Sequence, residues 1–566
     1  MATTARTGAA RTLGAMAAGA FPTQAYGRAV GRYLGLPGTF EGAVRVEQDL
    51  RIPMEDGVVL LADRYVPRAA GARPTVLVRS PYGRRGFYGF LYGLLYAQRG
   101  LQVVVQSTRG TFGSGGEFMP FHERADGLAT IAWIRRQPWH RGKIGMTGAS
   151  YMGLAQWAVA RDAGDVLGAL TPAVTASQFH GATFGGGFAL DSTASWHAIV
   201  ALQEQPFAPI QMYRAIRRLR SAFARLPLGE LDTQVNGRPL AHYREALEKS
   251  ARDDPYWVAR DHAHGVGDVS APVLLVAGWH DIFTPWQLDD YVALRRAGRQ
   301  ARLVVGPWTH TSPGMWQTSA RESIRWLRGH LLEGVARVPQ ARVRVHVGGA
   351  DQWRYLEEWP PPEAREWRLH LHPGGDLGPD APMASKPDRY RYDPAHPTPS
   401  SGGPALFARK PVVDNRPLER RPDVLTYTTA PLEQPVEAIG PVRVEIFVRS
   451  TLEHFDVFAR VCDVDRQGVS RNVCDALDRV TPKSADRAPD GTIRVAFSLW
   501  PTAHRFSPHH RIRLQMSSGA HPRYARNTGT GEPLATATRL RAADQEVFHD
   551  PQHPSALVLS VVGPIP

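Results

Sequence analysis

The chain has 566 residues, of which 43% are hydrophobic and 21% are charged, and its formal net charge is +14. A single hydrophobic core stops growing at roughly 250–300 residues, so we expect two or three domains. The basic residues are spread along the chain and interleaved with acidic ones, which disfavours specific nucleic-acid binding. No stretch approaches the roughly 20 apolar residues of a membrane helix, so we expect no membrane span.

Two cysteines, Cys462 and Cys474, are too few for a disulfide framework or a zinc site. They flank a hairpin turn at 463–468, and a symmetric two-residue hairpin would pair Cys462 with residue 471 rather than 474. We therefore expect two buried free thiols, which fits a reducing, cytoplasmic location. The run at 13–21 resembles a weak signal peptide, but it is rich in alanine and glycine, and export is kept as the alternative.

Residues 1–42 have the pattern of an amphipathic or loosely ordered extension. Residues 43–176 then contain short apolar runs typical of strands, and one segment with helical spacing that stops before Pro138. The strands are predicted at 44–52, 58–66, 75–79, 101–106 and 144–146, and the helix at 126–137. Strands that alternate with helices predict a parallel sheet, so this part is the first half of an α/β core.

From 177 to 262 the glycines give way to helical sequence rich in arginine and aromatic residues. We predict that this segment is a helical cap inserted into the α/β domain, with helices at 211–223 and 240–251. The α/β pattern resumes over 263–337, the second half of the core. Its strands are predicted at 273–277 and 303–305, and its helices at 286–297 and 320–332.

Residues 338–566 are rich in short strands separated by turns of proline, glycine and aspartate. These strands are predicted at 342–347, 367–372, 442–448, 456–462, 492–499 and 511–516. Regularly spaced short strands are typical of a sandwich or jelly roll. The predicted fold class is therefore α/β: a parallel-sheet core with an inserted helical cap and a C-terminal β sandwich or jelly roll.

The most informative motif is Gly148-Ala149-Ser150-Tyr151-Met152-Gly153, which follows an apolar run and precedes helical sequence. A strand, a tight turn and a helix with serine at the apex form the nucleophile elbow of α/β-hydrolases, which exposes the serine Oγ beside backbone N–H groups. The second glycine comes one residue later than in the general Gly-x-Ser-x-Gly pattern. A serine flanked by glycines is also common in ordinary turns, so the motif needs support from other residues.

A nucleophilic serine needs a base, and the base needs an orienting carboxylate. In α/β-hydrolases these follow the serine in the order acid and then histidine, each at the end of a strand. The first acid after the strand at 273–277 is Asp281, and the first histidine after the strand at 303–305 is His310. His280 is the nearest rival base, but it precedes Asp281 and points to the opposite side if the strand continues. We therefore predict that Ser150, Asp281 and His310 are catalytic.

With these motifs the chain resembles the X-Pro dipeptidyl-peptidase and cocaine-esterase-like family of α/β-hydrolases. The family pattern Gly-x-Ser-Tyr-x-Gly matches 148–153 and accounts for the displaced glycine. Further matches are Gly-Trp-x-Asp at 278–281, Gly-Pro-Trp-x-His at 306–310, Pro-Tyr at 81–82, and the segments 108–118, 137–139, 503–506 and 526–529. The resemblance covers residues 45–560 and implies three domains, an α/β-hydrolase core, an inserted helical cap and a C-terminal β jelly roll, in agreement with the shifts in composition.

The resemblance also implies roles that the sequence pattern does not give. The Tyr82 hydroxyl and the Tyr151 backbone N–H are the expected oxyanion donors. The implied activity is that of a serine hydrolase that cleaves carboxylic esters, or amides, through an acyl-serine, with no metal and no organic cofactor. A small-molecule ester or amide is the expected partner. The oligomeric state is not set by the sequence, and a homodimer is one open alternative.

The family includes esterases, β-lactam acylases, α-amino-acid ester hydrolases and X-Pro dipeptidyl-peptidases, so these activities stay open. Members that bind a substrate ammonium need acidic groups, and the candidates in the cap are Asp191 and Glu204, which form no cluster. Aromatic residues near the site-forming loops favour an apolar substrate pocket: Phe87, Tyr88, Trp157, Trp196, Phe283 and Trp286. The alternatives of another class are a non-catalytic polymer- or carbohydrate-binding protein and a polyanion binder.

Overall fold

The computed structural model describes residues 24–38, 43–67, 71–333, 342–407, 410–484 and 486–565. The predicted junction between residues 337 and 338 lies outside these segments, as does the apolar run at 13–21. Among the helices of the described segments, none is long and apolar enough to cross a membrane. The described chain forms one large α/β layer structure and one large antiparallel β structure.

A ten-stranded sheet forms the α/β part, in the order β1-β2-β4-β3-β5-β6-β7-β8-β9-β10. Its strands are β1 (Val44–Pro53), β2 (Val59–Pro67), β3 (Arg73–Ser80), β4 (Gln102–Ser107), β5 (His140–Ala149), β6 (Leu167–Ala173), β7 (Val273–His280), β8 (Ala301–Thr309), β9 (Val343–Val347) and β10 (Gln352–Leu356). The strands from β4 to β9 in this order are parallel, whereas β1, β2 and β10 pair antiparallel. The predicted parallel sheet is therefore confirmed.

Eight helices of eight or more residues are described: α1 (Gln24–Tyr33), α2 (Arg124–Arg135), α3 (Tyr151–Ala160), α4 (Leu190–Leu202), α5 (Ala208–Ala222), α6 (Ala241–Glu248), α7 (Thr284–Arg296) and α8 (Pro313–Arg328). Shorter α-helices lie at Gly86–Tyr88, Leu95–Ala97, His180–Phe184, Leu231–Asn236, Pro255–Val258 and Arg416–Glu419. Two π-helical segments lie at Gly89–Leu94 and Gly329–Glu333. Helix α1 belongs to the predicted N-terminal extension, and Gln24 ties it to Val44 of β1 by two hydrogen bonds.

Helices cover both faces of the sheet, which explains why its strands have continuous apolar sequence. Along β3, Leu77 packs into the cluster that contains α2, α3 and α7 residues, whereas Val76 and Val78 pack with α8 on the other face. Helices α4 to α6 lie between β6 and β7 in the chain and share a small core of their own around Phe188 and Tyr243. This insertion, here called the cap, is helical as predicted.

The C-terminal part is built almost entirely of antiparallel strands, which bury a second core. These strands are β11 (Arg365–His372), β12 (Asp376–Gly378), β13 (Asp388–Tyr392), β14 (Leu425–Thr428), β15 (Val436–Ser450), β16 (Phe455–Val464), β17 (Ser470–Val480), β18 (Ile493–Phe506), β19 (Arg511–Ser517), β20 (Ala543–Phe548) and β21 (Ala556–Val562). Alternate residues of β15 are buried, so one face of this strand packs inward. The β-rich domain fits the predicted jelly roll.

One predicted strand joins a different sheet from the one expected. Residues 342–347 were assigned to the C-terminal β domain, but β9 pairs parallel with β8, with Val343 opposite Leu303. Val343, Val345 and Val347 are all buried in the α/β core. An apolar run predicts a strand from its composition, but it does not say which sheet the strand joins, because the partner strand lies far away in the chain.

Both cysteines lie on adjacent strands of the C-terminal domain, and both are buried and free, which confirms the prediction. A bulge between Val461 and Cys462 places Cys462 opposite Asn472 rather than opposite Cys474. Burial raises the pKa of the Cys462 thiol to about 12, so this thiol is unreactive at neutral pH.

Candidate active site

Ser150 lies at a sharp turn between β5 and α3, in the backbone conformation φ 60° and ψ −127°. A non-glycine residue with this conformation is strained, and such strain marks functional turns. The flanking glycines allow the turn to close. A Cβ on Gly148 would lie 2.4 Å from the Met152 Cβ, and a Cβ on Gly153 would lie 2.3 Å from the Thr175 Cγ2. The displaced second glycine of the motif thus has a packing role.

Replacing Gly153 by alanine is expected to lower the free energy of unfolding by about 1–3 kcal/mol, because overpacking displaces the buried Thr175. Thermal and denaturant unfolding measure this change. Gly71→Ala is the matched control, since a Cβ at Gly71 meets nothing within 4 Å. Equal stability of the two variants would contradict the packing role of Gly153.

Asp281 and His310 come together at the same edge of the sheet as Ser150. Asp281 directly follows β7, and His310 directly follows β8. The His310 Nδ1 lies 2.6 Å from the Asp281 Oδ2, and the Phe283 backbone N–H donates to the other carboxylate oxygen at 2.9 Å. Because a carboxylate only accepts hydrogen bonds, the proton is held on Nδ1 and the lone pair on Nε2 stays free. The Asp281 side chain is fully buried, so its orientation is fixed.

Tyr82 follows β3 and brings its hydroxyl to the elbow. The hydroxyl accepts a hydrogen bond from the Trp196 indole N–H at 2.9 Å and makes a hydrogen-bond contact with the Ser150 side chain. Burial raises the pKa of Tyr82 to about 12, although both hydrogen bonds oppose the rise. Tyr82 is therefore protonated at neutral pH and can act as a donor. Its ring stacks on Tyr88 with centroids 5.3 Å apart.

Tyr151 is the first residue of α3, and the first N–H groups of a helix have no acceptor within the helix. Its backbone N–H is therefore available beside Ser150, where the positive end of the helix dipole also favours negative charge. The side chain points elsewhere: its hydroxyl donates to Glu123 Oε1 at 2.6 Å and accepts from the Phe121 N–H at 2.9 Å. Glu123 in turn pairs with the buried Arg79.

A pocket beside Ser150, here called the Ser150 pocket, is largely apolar. Its lining residues are Phe121, Ser150, Tyr151, Phe179, Ala182, Thr183, Ser192, Thr193, Trp196, His197, Ala246, Trp257, Ile282, Phe283 and Leu406. A chain of ring contacts runs along it, from Trp196 to Phe121 (5.3 Å), Phe179 (4.9 Å), Phe283 (4.5 Å) and His310 (5.7 Å). No carboxylate is among the described residues that line this pocket.

Two of the four pocket residues predicted from the sequence, Trp196 and Phe283, line the Ser150 pocket. Trp157 does not: it packs into the α/β core and borders a separate cavity at Arg161 and His262, because it lies on the side of α3 that faces α2. Trp286 lines the neighbouring cavity against Trp500 of the β domain.

The other aromatic and acidic candidates also lie outside the Ser150 pocket. Phe87 packs edge-on to Trp316, and Tyr88 supports Tyr82 from behind. Asp191 borders the neighbouring cavity, where burial raises its pKa and Ser195 donates to it at 3.3 Å. Glu204 accepts the Phe112 N–H at 2.7 Å. In the described part of the chain no group of three or more His, Cys, Asp or Glu residues could hold a metal ion.

The geometry can be compared with known proteins. A model of the X-Pro dipeptidyl-peptidase (S15 family) matches residues 56–312, and a model of the X-Pro dipeptidyl-peptidase C-terminal non-catalytic domain matches residues 333–558. The cocaine esterase of Rhodococcus sp. (strain MB1 Bresler) is 31% identical, over 92% of this chain and 99% of that protein. The chain belongs to the X-Pro dipeptidyl-peptidase (S15) family. The predicted family and the predicted class, a serine hydrolase, are thereby confirmed.

Solved structures agree with this family assignment at the level of the fold. An aminopeptidase from a marine sediment archaeon, Thaumarchaeota archaeon, has a TM-score of 0.76 at 22% identity, covering 93% of this chain and 97% of that chain. An alpha-amino acid ester hydrolase has the same TM-score and identity, covering 93% of this chain and 98% of that chain. This chain thus shares its fold with both solved structures over most of its length.

Other S15-family motifs of the chain build the architecture around the site rather than the site itself. Arg109 pairs with Asp126 at 2.6 Å, which fixes the loop after β4. His504 contacts Asp463 at 2.9 Å within the β domain. Arg526 donates to the Ala224 carbonyl and so joins the β domain to the end of cap helix α5.

Several residues that line the Ser150 pocket could not be predicted from the sequence, namely Phe121, Phe179, Trp257 and Leu406. They come from the loop before α2, both ends of the cap and a loop of the β domain, and no short-range pattern links them. The backbone of Phe121 has a positive φ of 67°, a conformation that non-glycine residues rarely adopt and that often marks a functional loop. That signal depends on the backbone conformation and cannot be read from residue types.

Proposed function

We propose that the protein is a carboxylic-ester hydrolase in which Ser150 is the nucleophile, His310 the general base and Asp281 the residue that orients His310. The support is geometric. All three residues directly follow parallel strands of one sheet, and Asp281 holds the His310 Nδ1 at 2.6 Å. This arrangement leaves Nε2 as the acceptor for the serine proton, as in other Ser-His-Asp hydrolases.

In the proposed reaction, the Ser150 Oγ attacks the ester carbonyl while the His310 Nε2 takes its proton. The carbonyl oxygen becomes an oxyanion, which the Tyr82 hydroxyl and the Tyr151 N–H stabilise. Collapse of this intermediate breaks the bond to the alcohol, which leaves with the proton from His310, and an acyl-serine remains. A water molecule, deprotonated by His310, then hydrolyses the acyl-serine by the same steps in reverse and frees Ser150.

Tyr82→Phe is expected to lower kcat by about 10²–10³, because it removes one donor that acts on the transition state. Steady-state kinetics with a p-nitrophenyl ester measure this loss. The ring and its stacking on Tyr88 are retained, so folding is preserved. A matched control is Tyr33→Phe, since Tyr33 is exposed and lies on α1 away from the site. An unchanged kcat for Tyr82→Phe would show that the hydroxyl has no role.

For the substrate, we propose an ester whose acyl group is apolar and uncharged. The observation that supports this choice is the Ser150 pocket, which is lined by aromatic rings and, in the described residues, by no carboxylate. A substrate ammonium bound there would lose its water without gaining a charged partner, and that costs several kcal/mol. The two candidate carboxylates, Asp191 and Glu204, lie outside the pocket.

A matched substrate pair tests this proposal. The methyl esters of phenylacetic acid and phenylglycine differ by one amino group, so we expect kcat/KM to be at least about 10-fold higher for the phenylacetate, since one unpaired charge costs more than 1.4 kcal/mol. Glycyl-prolyl-p-nitroanilide tests the X-Pro peptidase alternative in the same assay. Preference for phenylglycine or for the anilide would overturn the proposed substrate class and favour an aminopeptidase-like activity.

A further inference from the structure

Trp196 connects the cap to the residue proposed as an oxyanion donor. It lies on cap helix α4, and its indole N–H donates to the Tyr82 hydroxyl oxygen at 2.9 Å. An indole N–H can only donate, so the direction of this hydrogen bond is fixed by chemistry. Tyr82 must accept at this point, which distinguishes the contact from one between two hydroxyls.

This direction determines where the Tyr82 proton points. A phenol has a single proton, which prefers the plane of the ring, and the lone pair on the Trp196 side is already engaged. The O–H is therefore turned away from Trp196, and the Ser150 side chain is also close to the hydroxyl. Hydrogen bonds in a chain polarise one another, so the Trp196 N–H also makes Tyr82 a stronger donor to a developing oxyanion.

The packing around Trp196 holds its N–H in place. The indole stacks on Phe121 with centroids 5.3 Å apart and on Tyr151 with centroids 6.2 Å apart. A second contact follows seven residues later, two turns along the same face: Gln203 Nε2 donates to the Pro81 carbonyl at 2.9 Å. Helix α4 therefore holds the loop that carries Tyr82 at two adjacent points, one on the side chain and one on the backbone.

We propose that Trp196 is a positioning residue that orients the Tyr82 hydroxyl toward the oxyanion. Cap helix α4 thereby contributes to the oxyanion hole. The inference rests on the proposed function of Tyr82. Trp196 also forms a wall of the Ser150 pocket, and a wall alone would act on acyl binding, which is seen in KM. Orientation of a donor used in the transition state is seen in kcat.

A double-mutant cycle separates the two roles. The variants are Trp196→Phe, Tyr82→Phe and the double variant, assayed with one p-nitrophenyl ester for kcat and KM. Phenylalanine keeps a stacked ring but lacks the N–H, so we expect Trp196→Phe to lower kcat about 3- to 10-fold with KM changed less than about twofold, the size of one hydrogen bond. In the Tyr82→Phe background, the same change is expected to leave kcat within about twofold.

The matched control is Trp257→Phe, because Trp257 lines the same pocket but donates its indole N–H to the Lys249 carbonyl instead. Trp257→Phe is expected to change kcat by the same factor in the wild-type and Tyr82→Phe backgrounds. Trp196→His adds a rescue test. The imidazole Nε2 takes the place of the indole Nε1 in the five-membered ring, so this variant is expected to keep a higher kcat than Trp196→Phe.

Equal kcat losses for Trp196→Phe in both backgrounds, without rescue by histidine, would overturn the proposal and leave Trp196 as a pocket wall. That failure differs from failure of the proposed function, in which Tyr82→Phe itself would leave kcat unchanged. Circular dichroism and fluorophosphonate labelling of Ser150 establish that each variant is folded and has an assembled nucleophile. If Trp196→Phe does not fold, Trp196→Leu, which also lacks the N–H, takes its place in the cycle.

Discussion

Ser150→Ala is expected to abolish labelling by a fluorophosphonate probe and to lower kcat by about 10⁶, the loss seen when a serine hydrolase loses its nucleophile. The physical reason is that alanine lacks the Oγ, which the strained backbone at the turn between β5 and α3 places beside the N-terminus of a helix. Binding and the oxyanion donors are retained, so residual activity above the uncatalysed rate is expected. Mass spectrometry of the labelled peptide and p-nitrophenyl ester kinetics measure the two effects.

Ser221→Ala is the matched control for this experiment. Ser221 is an exposed serine on cap helix α5 whose hydroxyl donates only to the Arg218 carbonyl. This variant is expected to label and turn over like the wild type. If folded Ser150→Ala were still labelled by the probe, Ser150 would not be the nucleophile. A different serine would then have to act with Asp281 and His310.

Asp281→Asn is expected to lower kcat by about 10⁴, with folding retained. In the native site one Asp281 oxygen accepts the Phe283 N–H and the other accepts from the His310 Nδ1. An asparagine has only one acceptor oxygen. If that oxygen keeps the Phe283 N–H, the NH₂ group faces Nδ1 and forces the His310 proton onto Nε2. His310 can then no longer accept the serine proton. Steady-state kinetics at pH 7 measure the loss.

Asp290→Asn is the matched control, because Asp290 is a second buried aspartate close in sequence but outside the proposed triad. Burial raises its pKa to about 8, although Ser177 donates to it from both its N–H and its hydroxyl. Asparagine keeps the shape of this side chain and the acceptor for the Ser177 N–H, while the Ser177 hydroxyl can accept from the new NH₂ group. We expect kcat of this variant within about threefold of wild type. A similar loss in both variants would mean that Asp281 acts only through stability.

The substrate prediction depends on what surrounds the nucleophile rather than on the nucleophile. Trp196, Phe121, Phe179 and Phe283 form a continuous set of ring contacts that ends on His310. Such a surface favours burial of an apolar acyl group beside the reacting atoms. The family includes relatives named for ester substrates and relatives named for peptide substrates. The apolar lining is the reason for expecting an uncharged ester rather than a substrate with a free ammonium.

Local sequence was sufficient for the elements and for the order of the candidate catalytic residues. The spacing around Ser150 specifies the turn, because glycine is needed where a Cβ would collide with Met152 or Thr175. Asp281 and His310 could be found because each is the first residue of its type after a short apolar strand. These features depend on neighbours only a few residues away, which is why the sequence expresses them.

The resemblance to a family, rather than any local pattern, pointed to Tyr82. In the structure its hydroxyl accepts from Trp196, which lies 114 residues away in the cap, so its proposed role depends on long-range packing. The prediction for Trp157 was wrong for a related reason. Its helix follows the elbow directly, but the turn of the helix directs its side chain into the α/β core. Nearness in the sequence did not mean nearness to the pocket.

The sequence by itself determined the α/β class, the inserted helical cap, the β-rich C-terminal part, the buried thiols and the candidate triad, because each depends on composition or on short-range spacing. Only the tertiary structure decided that β9 joins the first sheet, that the Ser150 pocket has no carboxylate among its described residues, and that Trp196 reaches Tyr82. Those facts arise where segments far apart in the chain pack together. Such packing is fixed by the shape and hydrogen bonding of the assembled core, which no local pattern encodes.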